Sequence, residues 1–430
     1  MIKRLYVKNY KSMRETEVFF QQLTIVFGPN AAGKSNLFDA LNLVSRMVSE
    51  KSLKDAFARH RGLPLESVHV KPQQNEAETD TNPEKSQRMI FEVDLVLSPK
   101  TIQAVESRVR MLRKGLEEDD GAPHSKIITN SHLRYRIEIE VVSDTGETRV
   151  CEERLVALKQ NKPEEKTRGA FLEMTKDSKH RNKLSLRLEG QSRPTLFDVG
   201  LNYTVVSTEL YAPHYPHIIA FREELKRCHI YYFEPRELMR EAAAIAEVER
   251  PGPFGEDLAA FYNTLAQRSP AQFKNLKLVV RSILPRVTDL TIDRTKKGEL
   301  YLLVHEDGNQ FSNRLISEGT LRVLGLVGVV SPFTGSTTVG YEEPENGVHP
   351  RRLNQIADLL KNAHSEDRQI LVNTHSPILP SYFENQNLMI CAREDGQTVF
   401  KPFTSLGSMF KPNEVETHLD EKIERGDFGG

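Results

Sequence analysis

The chain has 430 residues, a formal net charge of -1, 38% hydrophobic and 28% charged residues, which is typical of a folded globular protein rather than a disordered one. The near-neutral charge gives no overall electrostatic reason to bind nucleic acid or an anionic membrane, although a local basic face stays open. Its three cysteines, Cys151, Cys228 and Cys391, lie far apart without CxxC spacing, which excludes a disulfide framework and a zinc site and fits a reducing compartment.

The amino terminus alternates apolar and polar residues, which predicts a strand and not a signal peptide. The short apolar run Leu23–Phe27 predicts a buried parallel strand. Leu37, Ala40, Leu41 and Val44 recur at helical spacing and predict the next helix. Because no apolar run reaches about 18 residues, we expect no membrane span and a cytoplasmic protein.

The loop between that strand and that helix matches the pattern GxxxxGK[ST]. In such a loop successive backbone N–H groups point at phosphate oxygens. Lys34 is expected to reach the β- and γ-phosphates and Ser35 to coordinate magnesium. The alternative is a glycine-rich turn with an incidental lysine. We predict binding of ATP and Mg²⁺ by the residues Gly28, Asn30, Ala31, Ala32, Gly33, Lys34, Ser35 and Asn36.

Residues 48–88 are polar and predict a loop or an insert, after which residues 88–97 return to strand character. Ser98-Pro99 predicts the start of a helix. The polar side of this helix carries Arg108, Arg110, Arg113 and Lys114. These four residues form either a solvated face or a contact for DNA or a partner. A predicted hairpin over LRYRIEIEVV and TRVCEERLVAL follows, with further strands over KLSLRLEG and YTVVST.

From His229 the pattern predicts mostly helices, with apolar stripes over 258–265 and 273–283. TTVGY, QILVN and LMICA predict buried strands, and residues 353–360 a further helix. There is no repeat and no sustained heptad pattern. We therefore expect no long coiled coil.

Three later segments carry residues suited to phosphate chemistry. Ser317 and the backbone at Gly319 precede a predicted helix and can present donors to a phosphate, although a mere helix cap explains them equally well. Glu342 and Glu343 end a buried strand, where one carboxylate can help to hold magnesium and the next can polarise a water. An acidic turn before a helix is the alternative. His375 directly follows another buried strand; a lone histidine there is more often structural.

The segment Glu342-Glu343-Pro-Glu-Asn-Gly-Val-His-Pro resembles the Walker B and D-loop of ABC-type ATPases of the RecF, SMC and OLD kind. This resemblance implies that Glu343 is the catalytic glutamate. The family usually has Asp where this chain has Glu342, which leaves open whether Glu342 contacts magnesium directly or through water. The resemblance also makes His375 the switch histidine that hydrogen-bonds the γ-phosphate.

Residues 315–322 resemble the signature motif of the same family, with Glu318 in place of its commonest glycine. In the family this motif meets the ATP of the opposite subunit, which implies a head-to-tail homodimer. No single residue near Gln87 is identified as the Q-loop. The implied fold is an α/β ABC-type ATPase head with an inserted mixed α/β lobe. Its expected parts are residues 1–96 (amino-terminal head), 97–230 (lobe) and 231–430 (carboxyl-terminal head).

After His375 we expect no Toprim nuclease domain of the kind that OLD proteins carry. What remains is similar to stand-alone ATPases of bacterial anti-phage operons (AbiL-type and PARIS-type). The resemblance implies an antiviral sensor or regulatory ATPase that acts with a separate effector, a nuclease or toxin. The alternative is a RecF-like ATPase that binds duplex DNA in repair or loading. A transporter subunit is a distant third.

Overall fold

The computed structural model describes residues 1–69, 86–114, 126–159, 162–166, 169–174, 183–187, 189 and 194–405. Residues 70–85 of the polar stretch predicted as a loop or insert lie outside this range. The chain divides into two compact units, and both are discontinuous. The first unit comprises Met1–Phe20, Ser35–Cys228 and Cys391–Phe400. The second comprises Gln21–Lys34, His229–Ile390 and the chain from Lys401.

Helices separate runs of strands along the chain. In chain order the strands are β1 (Ile2–Tyr10), β2 (Met13–Phe19), β3 (Leu23–Phe27), β4 (Ser86–Val96), β5 (His132–Val142), β6 (Thr148–Lys159), β7 (Lys162–Lys166), β8 (Leu172–Met174), β9 (Lys183–Leu186), β10 (Thr195–Asp198), β11 (Cys228–Tyr231), β12 (Ala243–Ala244), β13 (Val287–Arg294), β14 (Glu299–Glu306), β15 (Asn309–Ser312), β16 (Thr338–Glu342), β17 (Gln369–Thr374), β18 (Leu388–Glu394) and β19 (Gln397–Pro402). The helices are α1 (Lys34–Met47), α2 (Leu53–Phe57), α3 (Pro99–Lys114), α4 (Pro216–Lys226), α5 (Leu258–Arg268), α6 (Pro270–Ile283), α7 (Glu318–Val329) and α8 (Leu353–Ala363).

The first unit is built on an antiparallel sheet of the order β10-β9-β8-β6-β5-β4-β1-β2, with β7 paired to β6. The predicted hairpin is confirmed, because β5 pairs with β6 and buries every second residue. This alternation gives the sheet one apolar face and one face of charged side chains. Gln87 lies in β4 and is exposed.

Helix α3 begins where Ser98-Pro99 predicts, and the Ser98 hydroxyl accepts a hydrogen bond from the backbone N–H of Thr101 at 3.3 Å. Of the basic side chains on this helix, Arg110 pairs with Glu106 at 2.6 Å. Arg113 donates to the carbonyl oxygen of Pro213 at 3.4 Å. Part of the basic stripe is thus tied to the first unit itself.

The predicted strand over YTVVST is wrong: Val205–Ser207 is a turn of 3-10 helix. The buried Glu153 carboxylate accepts hydrogen bonds from the backbone N–H groups of Val205 (2.7 Å) and Val206 (3.1 Å). Thr204 caps the turn by accepting from the N–H of Ser207. These contacts satisfy the amide donors that a strand would have offered to a neighbouring strand.

The second unit contains a parallel sheet in which β16, β17, β3 and β18 are neighbours in that order, with β11 beside β16. Strands β3, β16 and β17 are buried along their whole length, as their apolar sequences predict. Phe27 lies opposite Thr374, and Asn373 opposite Glu342. The carboxyl ends of these three strands therefore meet at one edge of the sheet.

Helices α5, α6 and α8 confirm the apolar stripes of the carboxyl-terminal half. The prediction of mostly helices after His229 is incomplete, because β13, β14 and β15 form an antiparallel meander joined by β12. Most residues of strand β13 are exposed or half-buried, so its sequence lacks the regular alternation of apolar and polar residues that predicts a strand. No helix in the described ranges is long and apolar enough to cross a membrane.

Candidate nucleotide-binding site

The glycine-rich loop connects the buried strand β3 to helix α1, as its pattern predicts. Two residues of the loop have positive φ, Ala31 (62°) and Gly33 (109°). Glycine adopts such values without steric cost, and Gly33 thus suits its position. The buried Lys34 ammonium donates to the carbonyl oxygens of Gly28 at 2.7 Å and of Pro29 at 2.9 Å. The lysine therefore lies across its own loop, where a phosphate-binding loop carries its cation.

The last residues of the motif lie in the first turn of α1. Ser35 directly follows Lys34, and the Asn36 amide donates to the Ser12 hydroxyl at 2.7 Å. Ser12 also accepts from the hydroxyl of Thr398 at 2.6 Å. Ser12 and Thr398 thus fix Asn36, and with it the start of α1, inside the first unit.

Glu342 and Glu343 lie at the carboxyl end of β16, and Asn373 of the adjacent strand β17 holds both. The amide of Asn373 donates to Oε2 of the buried Glu342 at 3.1 Å. The backbone N–H of Glu343 faces two oxygens of Asn373, the carbonyl at 3.0 Å and Oδ1 at 3.2 Å. Glu343 has φ of 54°, a backbone strain that is typical of functional sites.

The carboxylate of Glu343 lies between two polar side chains. Its Oε2 accepts from the amide of Asn346 at 2.5 Å, and its Oε1 lies 3.3 Å from Nδ1 of His375. The Glu343 and His375 side chains are 27% and 39% exposed. Because both remain open to solvent, a ligand can reach them.

The Ser317–Gly319 segment begins α7. The Ser317 hydroxyl accepts from the N–H of Thr320 at 3.1 Å, so in this structure it is a helix cap, the alternative that its sequence left open. A Cβ at Gly319 would lie 2.0 Å from the carbonyl oxygen of Gly347. Glycine is therefore required there by the close approach of the loop that follows Glu343. Glu318 pairs on the surface with Arg236 at 3.2 Å.

The oxygen donors suit a magnesium ion that is bound together with a phosphate. The described part of the chain contains no group of three or more His, Cys, Asp or Glu side chains that could hold a metal alone. Magnesium binds proteins through one or two carboxylates and takes its remaining ligands from phosphates and water. The Glu342 carboxylate at the end of β16 is a donor of this kind.

Sequence reasoning did not identify Asn373 and Asn346 as site residues. Asn373 lies opposite Glu342, next to the last residue of its strand, so the parallel pairing of these two strands could have indicated it. Asn346 lies three residues after Glu343 on a tight turn, and its amide reaches back to the carboxylate. Its role depends on the turn geometry, which the sequence does not specify.

The glycine-rich loop between the buried strand β3 and helix α1 defines this chain as a P-loop ATPase. A protein-family model described as "AAA domain, putative AbiEii toxin, Type IV TA system" matches residues 118–380. A second model, described as "AAA ATPase domain", matches residues 1–193. Since the first match covers more than half of the sequence, the chain belongs to the AAA-domain, putative AbiEii toxin family.

A solved SMC head structure has a similar fold. An SMC head bound to the C-winged helix domain of ScpA is 14% identical with a TM-score of 0.51, and the match covers 93% of this chain and 97% of that one. The SMC head domain from Thermotoga maritima is 13% identical with a TM-score of 0.39, over 93% and 98% of the two chains. At such identity the likeness shows the fold alone. Comparison with curated proteins gives no match.

Proposed function

We propose that two copies of this ATPase bind ATP and magnesium head to tail, and that Glu343 and His375 act on the γ-phosphate end. The observation that carries the proposal is the contact between Glu343 Oε1 and His375 Nδ1 at 3.3 Å. It lies at the sheet edge where the P-loop also begins. A carboxylate that can polarise water and an imidazole beside it are the groups that phosphoryl transfer to water needs.

Each remaining residue has a separate role in this proposal. Lys34 exchanges its two carbonyl partners for the β- and γ-phosphates, while the P-loop N–H groups hold the phosphate oxygens. Ser35 and Glu342 hold the magnesium, which neutralises charge on the phosphates. Ser317 and Gly319 of one copy contact the nucleotide of the other copy through the start of α7.

Two substitutions test the site. Lys34→Ala should weaken ATP binding about 10- to 100-fold, because a charge-assisted hydrogen bond contributes about 1.5–3 kcal/mol. Glu343→Gln should keep the ATP affinity and lose turnover by about 100-fold or more. Glu366→Gln is the matched control, since Glu366 is exposed and precedes the opposite end of β17. Normal hydrolysis by Glu343→Gln would remove Glu343 from the catalytic role.

The dimer has its own measurement. With ATP and Mg²⁺, Glu343→Gln should accumulate as the closed species, so light scattering should give twice the chain mass of 49.0 kDa. Lys34→Ala should stay at its nucleotide-free mass. An unchanged mass of Glu343→Gln at saturating ATP would contradict the head-to-tail dimer.

We further propose that the protein is a cytoplasmic sensor or regulatory subunit of an anti-phage system with a separate nuclease or toxin effector. The family description supports this role, since it refers to a putative toxin and to a type IV toxin–antitoxin system. In this role nucleotide closes the dimer, and hydrolysis reopens it and changes effector release.

Binding of duplex DNA, the alternative role, finds little support on the polar face of the large antiparallel sheet. A DNA-binding face carries unpaired Lys and Arg side chains. On this sheet the arginines pair with carboxylates across the strands: Arg4 with Glu92 at 2.7 Å, Arg134 with Asp94 at 2.6 Å, and Arg88 with Glu138 at 2.9 Å. The negative charges of these carboxylates oppose the approach of phosphates.

Co-purification with tagged Glu343→Gln from the native host, with ATP and Mg²⁺, separates the two roles. A stoichiometric nuclease-like or toxin-like protein that is retained by Glu343→Gln and lost with Lys34→Ala would support the sensor role. Recovery of duplex DNA without a protein partner, together with salt-sensitive stimulation of ATP turnover by DNA, would support the DNA-binding role instead.

A further inference from the structure

Glu345, two residues beyond Glu343, has no role in the site described so far, although its side chain is only 8% exposed. A buried carboxylate is costly unless hydrogen bonds compensate its lost hydration. Its Oε1 accepts three hydrogen bonds, from the Thr374 hydroxyl at 2.6 Å and from the backbone N–H groups of His375 at 3.2 Å and Ser376 at 3.1 Å. All three donors lie at the end of β17 or directly after it.

These bonds fix the backbone on both sides of the His375 Cα. The ring itself lies with Nδ1 3.3 Å from Oε1 of Glu343 and 3.7 Å from Oε1 of Glu345. These distances place Nδ1 on the side of the two carboxylates. The other ring nitrogen, Nε2, is then left for the ligand.

The other carboxylate oxygen of Glu345 makes no hydrogen bond to the described part of the chain that would add to stability. Within the described residues, Glu345 Oε2, the Tyr341 hydroxyl and Nη1 of Arg322 are buried without hydrogen-bond partners. Such orphaned groups destabilise the folded state, because they lose their hydration without a replacement. A residue retained only to fill space would not need a hydrogen-bond acceptor, whereas a residue that holds the His375 loop does.

We propose that Glu345 is a positioning residue for ATP hydrolysis, which anchors the His375 loop so that the imidazole faces Glu343 and presents Nε2 to the γ-phosphate. This inference rests on the proposed function, because it takes Glu343 and His375 as the groups beside that phosphate. It assigns Glu345 no contact with the nucleotide. Loss of Glu345 therefore affects turnover and not ATP binding.

The test compares Glu345→Ala with Glu345→Gln, whose amide oxygen can accept the same three hydrogen bonds. Glu345→Ala should lower kcat about 10- to 100-fold, the size of effect that a misplaced catalytic group produces, with the Kd for ATP within about twofold of the wild type. Glu345→Gln should regain most of the lost rate. Glu366→Ala, at the exposed end before β17, should match the wild type.

A double-mutant cycle separates positioning from a general structural effect. If Glu345 acts through His375, then His375→Ala with Glu345→Ala should be no slower than His375→Ala alone. Multiplicative losses, a wild-type kcat for Glu345→Ala, or a Glu345→Gln variant as slow as Glu345→Ala would overturn the inference. Thermal unfolding of each variant is measured alongside.

Thr374→Val keeps the inference testable if Glu345→Ala does not fold. This nearly isosteric change removes the shortest of the three bonds to Glu345 and the bond that the Thr374 hydroxyl accepts from the N–H of Ser376 at 2.9 Å. It should lower kcat several-fold without any further loss in the His375→Ala background. A wild-type rate for Thr374→Val would then overturn the inference. Glu343→Gln and His375→Ala serve as references. If both variants hydrolyse ATP normally, the proposed site fails. If both are slow but the rate losses of Glu345→Ala and His375→Ala multiply in the double variant, only the role of Glu345 is rejected.

Discussion

Gly319→Ala tests whether the start of α7 and the loop after Glu343 must stay in close contact. An added Cβ would lie 2.0 Å from the carbonyl oxygen of Gly347 and 3.0 Å from its carbonyl carbon. Both neighbours are backbone atoms, so no side chain can rotate away. Gly347 itself has φ of 73°, a conformation that leaves its loop little freedom to yield.

The size of the effect follows from this overlap. Ordinary contact between a carbon and a carbonyl oxygen is about 3.3 Å, so the two segments must separate by about 1.3 Å. Overpacking of this kind costs about 1–3 kcal/mol. A displacement of about 1 Å in a catalytic arrangement can reduce the rate about 100-fold. We therefore expect Gly319→Ala to lose turnover about 100-fold, while nucleotide binding at Lys34 persists.

The assay is steady-state phosphate release, with fluorescent ATP titration and urea unfolding on the same preparations. Gly308→Ala is the control, because Gly308 has φ of 81° and an added Cβ there meets nothing within 4 Å. That control should lose some stability through backbone strain and keep its turnover. Wild-type turnover of Gly319→Ala would refute the close-contact requirement, and equal turnover losses in both variants would attribute the effect to instability.

Two further predictions concern buried groups. Burial raises the pKa of Glu153 from 4.5 to about 7 against three hydrogen-bond donors. The folded state therefore retains a proton that the unfolded state has lost, and stability falls by on the order of 3 kcal/mol between about pH 4.5 and pH 7. Urea unfolding at pH 5 and pH 8 should show that the free energy of unfolding of the wild type falls with rising pH, while that of Glu153→Gln does not. An equal pH dependence in the two proteins would contradict this prediction. Tyr341→Phe removes a buried hydroxyl without a partner among the described residues and should stabilise by about 1 kcal/mol. The Tyr262 hydroxyl donates to the Leu324 carbonyl at 2.9 Å, so Tyr262→Phe should destabilise the protein by a similar amount. A stability change of the same sign in both variants would refute the assignment.

The sequence predicted the parallel sheet and its loops because their signals are local. Buried strands such as Leu23–Phe27 are continuous apolar runs, and the P-loop pattern directly follows one of them. The failures have a different cause. YTVVST has the composition of a strand, but Val205 and Val206 donate to Glu153, which lies 52 residues earlier in the chain. Such a long-range contact overrides local propensity.

The candidate site was predictable in part for the same reason. Lys34, Glu343 and His375 each follow a buried strand, so their chemistry can be predicted one segment at a time. Asn373 and Glu345 act across segments, through hydrogen bonds between neighbouring strand ends. A single sequence shows which side chains can accept or donate, but not which of them meet.

The departure at Glu342 shows how such a cross-strand contact compensates for a local change. Aspartate is one methylene shorter than glutamate, about 1.5 Å, so Glu342 extends further from the strand end than the usual family residue. Its Oε2 is held by the Asn373 amide at 3.1 Å, and the same asparagine holds the backbone of Glu343. The longer acid is thus fixed by the residue that also positions the adjacent glutamate. In the proposed function, the Glu-Glu pair places one carboxylate for a metal and the next for water.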